Sequence, residues 1–183
     1  MRYLLISLGL LAGWAVFSLA GQAMAADKDA DALAEELNEA IVDANNKIHV
    51  VGAEFWKTLA PAFKEKEVDL DDLNLNYKQI QKVMAIVQAK LQAKSKEKKI
   101  PDSKIARDYY KAHQAFLKVQ EGLLKKEYAD IIKTMEDETL TAAQKKKKIE
   151  AISKKMAKAE EKVFTELKKA QKAFGMKYGI EIE

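Results

Sequence analysis

Residues 141–174 read TAAQKKKKIEAISKKMAKAEEKVFTELKKAQKAF. Thr141 followed three positions later by Gln144 has the form of a capping box: the threonine hydroxyl accepts from the Gln144 backbone N–H, and the glutamine side chain reaches back to the threonine N–H. Behind it Ile149, Ile152, Met156, Ala159, Val163, Leu167, Ala170 and Phe174 recur at steps of three and four. That is a narrow, heptad-like stripe on a helix about 50 Å long. Gly175 and Gly179 follow as stop signals.

The same reading applied upstream gives three more helices, over about 29–60, 76–98 and 102–135. In the first, Leu33, Leu37, Ile41, Ala44, Ile48, Val51, Phe55 and Leu59 form the stripe, and Pro61 ends or kinks it. A polar, acidic connection is expected over 64–74. The second helix is expected to start at Asn76 as cap, with Gln79 at the third helical position and Leu75 and Ile80 as a hydrophobic staple. Its apolar face is Ile80, Val83, Met84, Val87 and Leu91. The third starts at Pro101-Asp102-Ser103, and its stripe jumps by one residue from Leu123 to Leu124, which predicts a phase shift or kink near Gly122. The expected fold is therefore all-α: four long helices in an extended antiparallel hairpin bundle or cradle, one domain over residues 26–183. Narrow seams on long rods predict some apolar surface left for a partner.

Residues 1–25 have the form of an export signal. Arg2 is the only charge before Asp27, the stretch after it is apolar, and Ala23-Met24-Ala25 supplies a small-x-small cleavage site. The apolar run from Leu4 to Ala20 approaches the length that spans a bilayer, so an uncleaved N-terminal anchor is the alternative. Export predicts a periplasmic location. With no cysteine in the chain, stability must come from packing rather than disulfides, and thiolate chemistry is excluded.

Charge is uneven. Residues 27–77 hold five basic and thirteen acidic groups, whereas 78–183 hold 26 basic and 15 acidic. Apart from Arg2, Arg107 is the only arginine, so the bidentate fork favoured for phosphate and base recognition is nearly absent and nucleic acid is not an expected partner. Lys145, Lys146, Lys147 and Lys148 crowd the first turn of the last helix, where the dipole disfavours them. Either they neutralise Glu136-Asp137-Glu138 across the connection, or they form a basic tip for acidic proteins, a sensor domain or peripheral contact with an anionic membrane.

No enzyme and no cofactor are expected. The chain has no glycine-rich phosphate loop, no nucleophile elbow and no Glu-x-x-His pair. Asp69-Leu70-Asp71-Asp72-Leu73-Asn74 is rich in oxygen but lacks the turn glycine and distal glutamate of a calcium loop, and reads as a solvated acidic loop. His49 and His113 are the only histidines. With helix ends level they would lie ~14 Å apart along the axis and could not share one iron. They read as partly buried residues at seam edges, and a haem or metal carrier is the weakest of the functional classes.

Two helix starts share a form: Leu75-Asn76 with Gln79, and Leu140-Thr141 with Gln144. Leu-Thr-x-x-Gln twice, one helical hairpin apart, together with the Asp72-Leu73-Asn74-Leu75 lead-in and the Gln144-Lys145-Lys146 continuation, resembles the LTxxQ periplasmic proteins, the Spy and CpxP group. Asn76 stands where the motif has threonine. The resemblance implies a helical, cradle-shaped homodimer in the periplasm. Its members act as ATP-independent chaperones or as modulators of an envelope-stress sensor kinase, and some bind zinc. The function it suggests is a chaperone or stress adaptor that binds partly unfolded proteins. An envelope structural or interaction protein with one fixed partner is the alternative.

Overall fold

The computed structural model describes residues 28–97 and 99–181. The expected signal and its cleavage site lie outside the described residues. Within them the regular structure is helical: α1 (Lys28–Leu59), a 3-10 turn (Ala60–Lys64), α2 (Leu70–Lys96), α3 (Lys104–Leu123), a π turn (Leu124–Tyr128), α4 (Ala129–Glu136) and α5 (Ala142–Tyr178). α3, the π turn and α4 run on as one rod, so the four expected rods are present.

α1 pairs mainly with α2, and α3 mainly with α5. Between the two hairpins, Asn38 meets Tyr109 and Asn45 meets His113, so α1 and α3 run in the same sense. Tyr110 reaches Leu91, Tyr77 reaches Leu124 and Asn74 reaches Glu136, so α2 runs against α3 and α4. The architecture is an up-down-up-down bundle. Its seams close on one another in a single apolar cluster that includes Leu37, Ile41, Phe55, Leu59, Leu73, Tyr109, Phe116, Ile149, Leu167 and Phe174. Each such side chain contributes about 1.5–3 kcal/mol by leaving water. The large apolar residues left exposed are Val50, Leu70, Leu75, Ile86 and Met176, on α1, α2 and α5. Among the described residues, the surplus apolar surface expected from narrow seams comes down to these five side chains.

Two helix boundaries differ from expectation, while Pro61 ends α1 as expected. α2 begins one to two turns early, at Leu70, because Asp69 is its cap: the Asp69 carboxylate accepts from Asp72 N at 2.9 Å. Asp71 and Asp72 then occupy the first turn, where the dipole favours them. The oxygen-rich stretch is a helix start and not a loop. Pro61 sits at the opening of the 3-10 turn, where its missing N–H leaves nothing unpaired. Gly175 does not stop α5 but lies buried within it, and the helix runs to Tyr178. Gly179 is the stop, with φ 66°, and Ile180 N donates to Gly175 O at 3.0 Å.

The phase shift near Gly122 takes the form of the π turn. One residue more than an α-helix needs is accommodated at Leu124–Tyr128, which lets Leu123 and Leu124 both be buried before the stripe resumes at Tyr128, Ile131 and Met135.

Candidate functional site

The two helix-start motifs have different fates. Thr141 is a true cap: its Oγ1 accepts from Gln144 N at 3.3 Å, and Gln144 Oε1 accepts from Thr141 N at 2.8 Å. Leu140 is partly buried at its base. Asn76 is not a cap. It lies inside α2, where its side-chain amide donates to Thr58 Oγ1 at 3.0 Å and ties α2 to the end of α1. Leu75 and Gln79 are exposed, so no staple forms there.

The basic run splits by role. Lys145 donates to Met135 O at 2.6 Å, capping the end of α4, and Lys146 pairs with Glu65 at 2.9 Å, which holds its pKa above the usual lysine value. Lys147 and Lys148 are exposed. Asp137 is held below the usual carboxylate range, first by hydrogen bonds from Thr139 and then by Lys148 and Lys145 nearby. Lys145 therefore secures the α4–α5 connection, and Lys146 ties α5 to the end of the 3-10 turn that follows α1.

The interior contains a line of polar pairs that the apolar stripes did not disclose. At one end the Tyr109 hydroxyl donates to Asn38 at 3.3 Å. About one turn on, His113 Nε2 and Asn45 Oδ1 lie 2.9 Å apart, with both residues buried. Further along, Gln120 Nε2 donates to Glu160 at 2.8 Å, and Tyr128 packs against Phe55 and Trp56 with ring centroids 4.8 and 6.0 Å away. Lys155 pairs with the buried Glu127 at 2.7 Å.

His113 is fully buried, not at a seam edge, and desolvation drives its pKa down to about 4. It is neutral, and with Asn45 Oδ1 as acceptor the proton sits on Nε2. Its Nδ1 and the Asn45 Nδ2 have no protein partner, which makes this pair an expensive one to hide. His113 lies level with Asn45, one turn before His49, so the axial offset between the histidines is ~6 Å rather than ~14 Å. The helix ends are not level as assumed. Even so, His113 points to Asn45, and among the described residues no three His, Cys, Asp or Glu side chains gather as a metal-holding group.

His49 faces a chamber of about 30 Å³ beside the π turn, shared with Trp56, Gln120, Tyr128, Met156 and Glu160. That volume suits one water and not an organic substrate. Desolvation raises the Glu160 pKa against the opposing hydrogen bond from Gln120, and it raises Tyr128 above the ordinary phenol value, with Glu160 adding to the effect. The chamber thus favours neutral side chains.

Glu160, Gln120 and Asn45 escaped the sequence reading because it followed apolar residues alone. On α5 the buried row is Ile149, Ser153, Met156, Glu160, Phe164, Leu167, Gln171 and Phe174, with Glu160 partly and the rest fully buried. Its steps are again threes and fours. The expected member Ala159 is exposed. The signal was available in the polar residues that complete the period. Compared with protein-family models, curated proteins and solved structures, the chain matches none.

Proposed function

We propose that this chain is an exported, periplasmic, non-enzymatic protein that binds other proteins, acting as an ATP-independent chaperone or envelope-stress adaptor. The observation that carries this reading is the contrast between a closed interior and a lysine-covered α5. The apolar seams are spent inside the chain, whereas Lys147, Lys148, Lys158, Lys162 and Lys172 stand exposed. First contact with an acidic client is then electrostatic, through flexible ammonium groups that steer at long range. The Thr141–Gln144 box supports the resemblance to the LTxxQ proteins, while the internal position of Asn76 weakens it at the first motif.

Substoichiometric to equimolar protein should slow aggregation of a chemically unfolded acidic client without ATP. Raising salt to ~0.5 M should remove most of that protection, because the screening length falls to a few ångströms. Lys147→Gln with Lys148→Gln should reproduce part of the salt effect and leave the fold intact. Lys145 and Lys146 are unsuitable for this test because Lys145 caps α4 and Lys146 pairs with Glu65. Identical aggregation rates with and without the protein at every salt concentration would overturn the chaperone reading. The closed seams then favour the alternative, a structural or interaction protein with one fixed partner. Colour or bound metal in the purified protein would instead favour a haem or metal carrier.

A further inference from the structure

α5 carries a second stripe, opposite its buried one. Lys147, Lys154, Lys158, Lys162, Lys169 and Lys172 follow one another at steps of three, four and seven, and all are exposed. Ala151 and Thr165 fill the gaps left by the sevens, and Met176, 78% exposed, ends the row. Six positive charges thus line one edge over ~38 Å. No carboxylate stands in the row, and Glu161 and Glu166 flank it. Lys169 reaches Glu166 only at 3.9 Å. Lys147, Lys158, Lys162 and Lys172 form no ion pair among the described residues.

From this row we infer that α5 docks lengthwise on an anionic phospholipid bilayer. The charges are spread along a straight rod and are not gathered around a shaped site. Grooves of about 210 and 370 Å³ lie elsewhere, between α2 and α3 and between α1 and α2. Regularly spaced lysines on flexible stems match a surface whose headgroups can move to meet them, whereas a folded acidic protein needs shape as well as charge. No described helix is long and apolar enough to cross a membrane, so the contact made by α5 is peripheral. Met176 offers one apolar side chain at the end of the row.

Co-sedimentation of the full chain with vesicles tests this. One vesicle set is phosphatidylcholine alone, and the other contains roughly a third phosphatidylglycerol. The readout is the gain in binding from the first to the second, because any contribution from the apolar residues 4–20 is common to both. Each lysine near an anionic surface is worth about fivefold in partitioning, so Lys158→Gln, Lys162→Gln and Lys172→Gln together should cut the anionic gain roughly a hundredfold at low salt. The matching arginine variant should keep it, and circular dichroism should show both folded. Equal binding of the parent to the two vesicle types would overturn the inference, as would a glutamine variant that binds like the parent. Capture of polyglutamate without vesicle binding would also overturn it and move the row to acidic proteins.

Discussion

At the scale of single residues, one buried and one partly buried titratable group pull stability in opposite directions with pH. His113 has an ordinary value near 6.5 when unfolded and about 4 when folded. Between those values the unfolded chain binds the extra proton, so stability rises with pH, is fully present above ~6.5, and is lost as pH falls toward ~4. The full swing is on the order of 3 kcal/mol. Glu160 has the reverse sign, since its raised folded pKa stabilises the chain at low pH and the effect fades as pH rises above the ordinary carboxylate value. Melting temperatures should therefore fall between pH 7 and pH 5 in the parent, and much less in His113→Gln relative to its own neutral value. Glu160→Gln should gain on the parent as pH rises above the ordinary carboxylate value. Parallel curves for all three proteins would refute both assignments. Neither residue was fully legible in the sequence. His113 was seen, but its burial is a tertiary fact, and Glu160 looked like one more charge in a lysine-rich helix.

Among the elements, the sequence disclosed most where a signal was local. The Thr141 box, the Ser103 start, where Ser103 Oγ accepts from Ala106 N at 3.0 Å, and the phase shift all lie in a few consecutive residues. The start of α2 was misplaced because Asp69-x-x-Asp72 and Asn76-x-x-Gln79 are both chemically able to cap. Burial of Leu73 one turn upstream, and the bond from Asn76 to Thr58, decide between them, and both are tertiary facts. The π turn makes a sharp prediction. It absorbs one extra residue, so deleting exposed Lys126 should convert it to an α-turn and leave the stripes on both sides in register. Deleting exposed Lys111 should instead rotate Ala112–Leu124 by ~100° and turn His113, Phe116 and Leu117 out of the core, at a cost of about 4 kcal/mol or more. Thermal melts compare the two directly. A Lys126 deletion as damaging as the Lys111 deletion would contradict the inserted-residue account.

For the whole molecule, the all-α class and the hairpin order were legible because few breakers interrupt long periodic runs. The closure of the seams was not, because a stripe does not say whether its partner lies in the same chain. That changes the expectation for self-association. Among the described residues the exposed large apolar side chains are few, whereas the acidic first half of α1 and the lysine row of α5 are complementary. Light scattering should find dimers or larger species at high micromolar concentration and low salt, dissolving to monomers near ~0.5 M salt. A monomer at every ionic strength would remove self-association, and dimers indifferent to salt would restore an apolar interface.

The pairing of α1 with α2 and of α3 with α5 also has a consequence in time. Each hairpin joins neighbours in sequence through a short connection, and the α4–α5 connection is fastened by Thr139, Thr141, Gln144 and Lys145 within its own few residues. Little chain entropy must be lost before contacts begin to repay it, which places such a topology among the quick folders. The polar line through the interior is different. Asn45 with His113 and Asn38 with Tyr109 can meet only after both hairpins exist, so the last event in assembly is the burial of hydrogen-bonding groups, not of oil.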